Sequence, residues 1–222
     1  MAGFGFTVLR RELSLARRRP VDALLPLGFF VVAVSLFPLG VGPDPQTLRQ
    51  IAPGVVWACV VLAAMLSARP LYAGDHEDGS LDQLLLCGQP AVVLAAAKAC
   101  AHWLQSGVPL VLAAPVAGLL FGLPLDATLA LAASLAIGTP VLSLLGGFGA
   151  ALTLGLRSAG MLIVLIVLPL AMPALVFGAG AAAAVDGGQS AAAHLALLGA
   201  MLIASVLFAL PATAAALRLA AE

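Results

Sequence analysis

Six apolar runs, each long enough to cross a bilayer as a helix, divide this 222-residue sequence and leave no stretch for a sizeable soluble domain. They cover about 22–41, 51–68, 96–120, 127–156, 161–185 and 192–217. Hydrophobic residues make up 63% of the chain and charged residues 9%, whereas a soluble domain is roughly a quarter charged. So few charges cannot solvate a protein surface in water, so lipid is the solvent for most of it. The runs are continuously apolar and lack the alternation of a barrel strand. The expected fold is therefore all-α, a polytopic membrane protein of six transmembrane helices forming one embedded domain over 1–222.

The third apolar stretch, 91–121, is longer than a span requires and contains Lys98, His102, Gln105, Pro109 and Pro115. Its first turns read as interfacial, with Lys98 snorkelling to the headgroups. Basic residues set the orientation. Arg10, Arg11, Arg17, Arg18 and Arg19 lie in the N-terminal arm. With that arm inside and six spans, Arg69, Lys98, Arg157 and Arg218 fall on the same side and only Arg49 falls outside. Nine of ten basic residues on one face predicts that both termini are cytoplasmic. The arm is too basic, and the run after it too long, for a cleaved signal. Cys59, Cys87 and Cys100 show no Cys-x-x-Cys spacing and read as free structural thiols.

The informative polar segment is 72–90, between the second and third spans. Asp75, Glu77, Asp78 and Asp82 fall within eight positions there. Gly79 is a flexible entry, and Ser80-x-x-Gln83 is a capping-box pattern that predicts a helix beginning at Ser80. Leu81, Leu84 and Leu85 share one face of that helix at i, i+3, i+4, and Gly88 with Pro90 ends it. Three readings are open: a solvated loop whose leucines dip into the interface, a docking element for a cytosolic partner, and a metal site at Asp75, His76, Glu77 and Asp78. The last has ligand spacing too compressed for a closed site.

The segment Tyr72-x-x-Asp75-x-x-Asp78-Gly79-Ser80-Leu81-Asp82-Gln83-Leu84-Leu85-Leu86, closing at Pro90, resembles the hallmark of the cytochrome c maturation heme exporter B family (CcmB). There an aromatic-x-x-Asp motif and an Asp-Gly-Ser-Leu run occupy the loop between spans two and three. The resemblance covers the whole chain, including its length, the Leu9-Arg10-Arg11-Glu12-Leu13 start and the proline-rich later spans. Tyr72 stands where Phe is more usual, and Cys87-Gly88-Gln89 where Ser-Pro is common.

Membership would imply an ABC-2 type permease in the bacterial inner membrane. Two copies would pair with two cytosolic ATPase subunits, alongside heme-handling membrane subunits C and D. The complex would serve delivery of heme, through a periplasmic heme chaperone, to c-type cytochromes. Residues 72–90 would be the coupling segment, with Tyr72, Asp75, Glu77, Asp78, Gly79, Ser80, Leu81, Leu84 and Leu85 facing the ATPase. No cofactor is expected in this subunit, heme being the cargo of the complex. The chain contains no Gly-x-x-x-x-Gly-Lys-Ser/Thr phosphate loop, so energy would arrive mechanically from a partner.

Other features are less specific. Ser143, Gly147, Ala151 and Gly155 form a small-residue stripe at steps of four, suited to close helix approach within a subunit or across a dimer. Pro140, Pro169 and Pro173 interrupt hydrogen bonding in their helices. His102 reads as a neutral, hydrogen-bonded intramembrane histidine and His194 as interfacial, with heme ligation assigned to neither. On the arm at 1–20, Phe6, Leu9, Leu13 and Ala16 share a helix side away from most of the arginines. This suits a helix at the cytoplasmic interface, touching lipid or ATPase. Against the heme-delivery reading stand an ABC-2 efflux permease for another substrate and an intramembrane enzyme. The enzyme is disfavoured because no span carries paired catalytic residues.

Overall fold

The computed structural model describes residues 2–18, 20–156 and 158–220. Arg19 and Arg157, two of the basic residues in the charge pattern, lie outside the described residues. Those described form α1 (Ala2–Arg18), α2 (Pro20–Val41), α3 (Pro45–Ala68), α4 (Pro70–Glu77), α5 (Ser80–Leu86) and α6 (Ala91–His102). A π-helical turn (Trp103–Gly107) then leads to α7 (Val108–Leu120), α8 (Leu125–Leu152), α9 (Ala159–Asp186) and α10 (Ala192–Ala220). Six continuous helical stretches are long and apolar enough to cross a membrane, with α3 and α4 together making one of them. No strand occurs among the described residues.

Helix α8 is the hub, packing most extensively on α9 and α10 and also meeting α3, α6 and α7. In the most apolar stretches, 61% of residues are buried in the α3 and α8 spans against 17% in α2 and α10. The first pair is therefore central and the second peripheral. Leu36 and Leu39 on α2, and Leu207 and Phe208 on α10, project outward, as a lipid-facing surface requires. Trp57 of α3 fills the centre, fully buried, and its indole Nε1 donates to Ser134 Oγ at 3.1 Å. A Cβ at Gly138 on α8 or at Gly178 on α9 would collide with that indole, so three helices meet around one tryptophan because two of them lack side chains there.

Local chemistry explains where the helices depart from the apolar runs. Helix α3 starts at Pro45, six residues before its run at 51, because Asp44 caps it. The Asp44 carboxylate accepts from the Thr47 backbone N–H at 2.9 Å, with Pro45 at the first helical position. The third span divides where Pro109 lacks an N–H for the Gln105 carbonyl. Val108 N–H instead reaches back to Trp103 O, giving the π-helical turn. By contrast, α8 and α9 continue as helix through Pro140, Pro169 and Pro173. Helix α8 ends at Leu152, so Gly155 stands in the turn beyond it with φ +78°.

Candidate functional site: the α4–α5 segment and its ionic anchor

Pro70 follows Arg69 and starts α4 as a separate short helix, and α5 begins after Gly79, whose φ of +73° a side chain would resist. The helix starts at Ser80 as its pattern predicts, but the capping box does not form. Asp78 Oδ1 accepts from the Ser80 backbone N–H at 2.9 Å, while the Ser80 hydroxyl donates to Asp75 Oδ1 at 2.9 Å. Asp75, a buried carboxylate that needs donors, draws the hydroxyl toward itself, and Arg11 Nη2 takes the acceptor side of Ser80 Oγ at 3.3 Å, so the oxygen is not spent on the helix N-terminus.

The segment has two faces. Tyr72, Asp75 and Leu81 are buried and Leu84 and Leu85 partly so, whereas Glu77, Asp78, Asp82 and Leu86 are exposed. The leucine face thus turns into the bundle's own interior, where Leu81 joins the core. Of the acids, Glu77, Asp78 and Asp82 face outward and Asp75 faces inward, so the four carboxylates do not converge.

Asp75 is the centre of an ionic cluster drawn from three elements. Arg11 of α1 donates from Nη2 to Asp75 Oδ1 at 2.7 Å. Lys98 of α6 is buried, with Nζ 2.5 Å from Asp75 Oδ2, 3.1 Å from Glu12 Oε1 and 3.0 Å from the Leu71 carbonyl oxygen. An ammonium has three N–H donors, and each has an acceptor. Arg11 Nη1 also pairs with Glu12 Oε1 at 3.1 Å. Two cations and two carboxylates balance. Lys98 therefore does not snorkel: satisfying its charge inside the protein leaves nothing for the headgroups. The Tyr72 ring lies 5.4 Å beneath the Lys98 ammonium, near enough for a cation–π contact, and its hydroxyl is buried without a hydrogen-bond partner among the described residues.

Helix α1 follows from the same contacts. Its protein-facing side is Gly5, Val8, Arg11 and Glu12 rather than Phe6, which is 66% exposed. Gly5 lets α1 approach Val93 of α6 closely, and Gln105 Nε2 donates to the Glu12 carbonyl oxygen at 3.4 Å. Leu9, Leu13 and Ala16 are partly buried beside this face, so of the apolar side Phe6 alone is turned fully outward. Composition held one signal for the cluster: Lys98 is the chain's single lysine, set in an apolar helix.

Deeper in the bundle, His102 bridges two helices, with Nε2 2.9 Å from Ser67 Oγ and Nδ1 3.0 Å from Ser143 Oγ. The small-residue stripe on α8 packs within the chain. Ser143 meets His102, Gly147 lies beside Leu71 and Tyr72, and Ala151 is buried. Gly155 falls past the helix and sits next to His76. His194 lies against Gly180 of α9 with a buried Nδ1 that has no partner among the described residues. Between α4 and the α8–α9 turn, a cavity of about 530 Å³ is lined by Arg69, His76, Glu77, Thr153, Gly155 and Ile163 among others.

Comparison with known proteins places these features in a family context. The family described as CcmB protein matches residues 4–220. Heme exporter protein B of Haemophilus influenzae is 44% identical over 215 residues, covering 97% of this chain and 97% of that protein. The Pseudomonas aeruginosa protein of the same name is 47% identical over 188 residues, covering 85% and 84%. That of Paracoccus denitrificans is 47% identical over 211 residues, covering 95% and 97%.

Proposed function

This chain belongs to the CcmB protein family, and from that premise we propose that it is the membrane permease subunit of a heme-export system driven by ATP hydrolysis on a separate cytosolic subunit. It acts in c-type cytochrome biogenesis at the bacterial inner membrane, with both termini cytoplasmic. The coupling segment α4–α5 receives the ATPase and passes its stroke to the spans, which serves release of heme or of a heme-loaded chaperone. The chain works as one of two copies, beside heme-handling membrane subunits C and D. It is not itself the catalyst, and heme is cargo rather than a resident group.

The observation that supports this reading best is the outer face of the segment. Glu77, Asp78, Asp82 and Leu86 are exposed together at one end of a six-span bundle, and such a patch suits a partner surface with basic groups around an apolar cleft. The names of the relatives, all heme exporter protein B, support heme as the cargo.

Two measurements test the proposal. Removing the gene should eliminate covalent heme from periplasmic c-type cytochromes, and complementation should restore it; normal heme-stained cytochromes would point to an efflux permease for another substrate. The triple variant Glu77→Arg, Asp78→Arg, Asp82→Arg should reach the membrane normally and lose co-purification with the ATPase subunit. Undiminished co-purification would remove α4–α5 as its docking site.

A further inference from the structure

We propose that Lys98, Glu12 and Arg11 are positioning residues that lock α1, α4–α5 and α6 into a single lever, so that a push on the segment is delivered to the spanning helices. The functional half of this rests on α4–α5 being the ATPase contact; the mechanical half stands on geometry alone.

The segment needs an anchor. Its first helix, α4, begins at Pro70, which has no N–H for the helical ladder although Arg69 keeps helical dihedrals, and is followed by Gly79 in a left-handed conformation. The first weakens a continuous helix and the second ends one, and each is a place where load can be lost by bending. Packing does not brace α4 on all sides, because Ala73, His76 and Glu77 line the 530 Å³ cavity. What holds α4 is the opposite face. There Asp75 is gripped by Arg11 from α1 and by Lys98 from α6.

The grip is closed and stiff. Glu12 joins both cations, so each cation touches both carboxylates, and pulling Asp75 away would part it from two cations at once in a poorly solvated place. Such a pair resists separation far more than a surface ion pair does. The cluster therefore carries displacement of Asp75 into α6. One turn beyond Lys98, α6 bears His102, tied to α3 and α8, and then enters the π-helical turn. A shift of α6 is thus passed to the two most buried spans. Asp75 serves this anchor with its carboxylate oxygens already engaged, leaving Glu77, Asp78 and Asp82 to face a partner.

The test uses the whole complex in membranes and in detergent. In a background with Cys59, Cys87 and Cys100 replaced by alanine, Gly5→Cys with Val93→Cys should form a disulfide on mild oxidation, reporting that α1 is clamped to α6. Lys98→Met should lose that cross-link and retain the ATPase subunit. It should lower the yield of holocytochrome per ATP hydrolysed by about tenfold, a typical coupling between distant sites. Lys98→Arg should restore both. Unchanged cross-linking and yield per ATP in Lys98→Met would overturn the lever. So would loss of the ATPase subunit with the cross-link intact, since the cluster would then only shape the docking face. If Lys98→Met does not accumulate, Glu12→Gln, which spares both contacts to Asp75, must show the same two losses, and normal behaviour overturns the proposal. Failure of the ATPase to bind the wild-type chain at all would instead remove the docking reading, and the cross-link would still decide the clamp.

Discussion

Arg11 and Asp75 are 64 positions apart in the chain and 2.7 Å apart in the structure. Their pairing fixes the rotation of the N-terminal helix and the inward turn of the segment between the second and third spans. With Lys98 and Glu12 it forms a neutral cluster whose lysine is almost wholly shielded from solvent. The acids of this segment therefore have unequal roles, and substitutions should separate them.

Asp75→Asn leaves Lys98 and Arg11 facing a single carboxylate. Breaking a buried pair from one side costs about 3–5 kcal/mol, and this variant should lose a large part of its stability in detergent. Glu77→Gln changes an exposed side chain and should stay within about 0.5 kcal/mol of wild type. Thermal unfolding of the two purified variants, followed by tryptophan fluorescence, checks the contrast; equal midpoints would show that the cluster does not stabilise the fold.

Tyr72→Phe should be neutral or stabilising. The Tyr72 hydroxyl is buried and has no hydrogen-bond partner among the described residues, and an unmade hydrogen bond there costs about 1–3 kcal/mol that Phe avoids. The ring beneath Lys98 is kept. A melting midpoint at or above wild type is expected, with normal holocytochrome formation.

Gly138→Ala and Gly178→Ala should each destabilise, because the new methyl meets the Trp57 indole in a filled core. Overpacking of this kind costs about 1–3 kcal/mol. Gly199→Ala, on α10 with open space around it, is the control and should lose nothing. A fall in midpoint for the first two alone confirms that α3, α8 and α9 are held at a distance set by missing side chains.

His102→Leu tests whether the intramembrane histidine is a fastener or a heme ligand. Its ring nitrogens are occupied by Ser67 and Ser143, and hydrogen bonds between membrane helices contribute about 1 kcal/mol each. A modest loss of stability with holocytochromes still formed is expected. Complete loss of holocytochromes from a variant that reaches the membrane at wild-type level would instead assign His102 to heme handling.

By itself the sequence determined the six spans, the helical class and the start of α5 at Ser80, since these depend on local properties: run length, continuous apolarity and a break at Gly79. It also held the motif from Tyr72 to Leu86 on which the family resemblance rests. Other features were decided only when distant segments met. The capping box at Ser80 gave way because buried Asp75 draws the hydroxyl toward itself and Arg11, 69 residues back, donates to its oxygen. Lys98 could be read as snorkelling because nothing near it in sequence is acidic; its partners come from α1 and α4. The inward turn of Arg11 and Glu12 on α1 was hidden for the same reason, as hydrophobic periodicity weighs leucines and ignores ion pairs formed with α4 and α6. Gly155 shared the spacing of the α8 stripe but not its helix, which ends at Leu152. Spacing reports what one helix can present; burial of a charge depends on which helices surround it, and only the tertiary structure sets that.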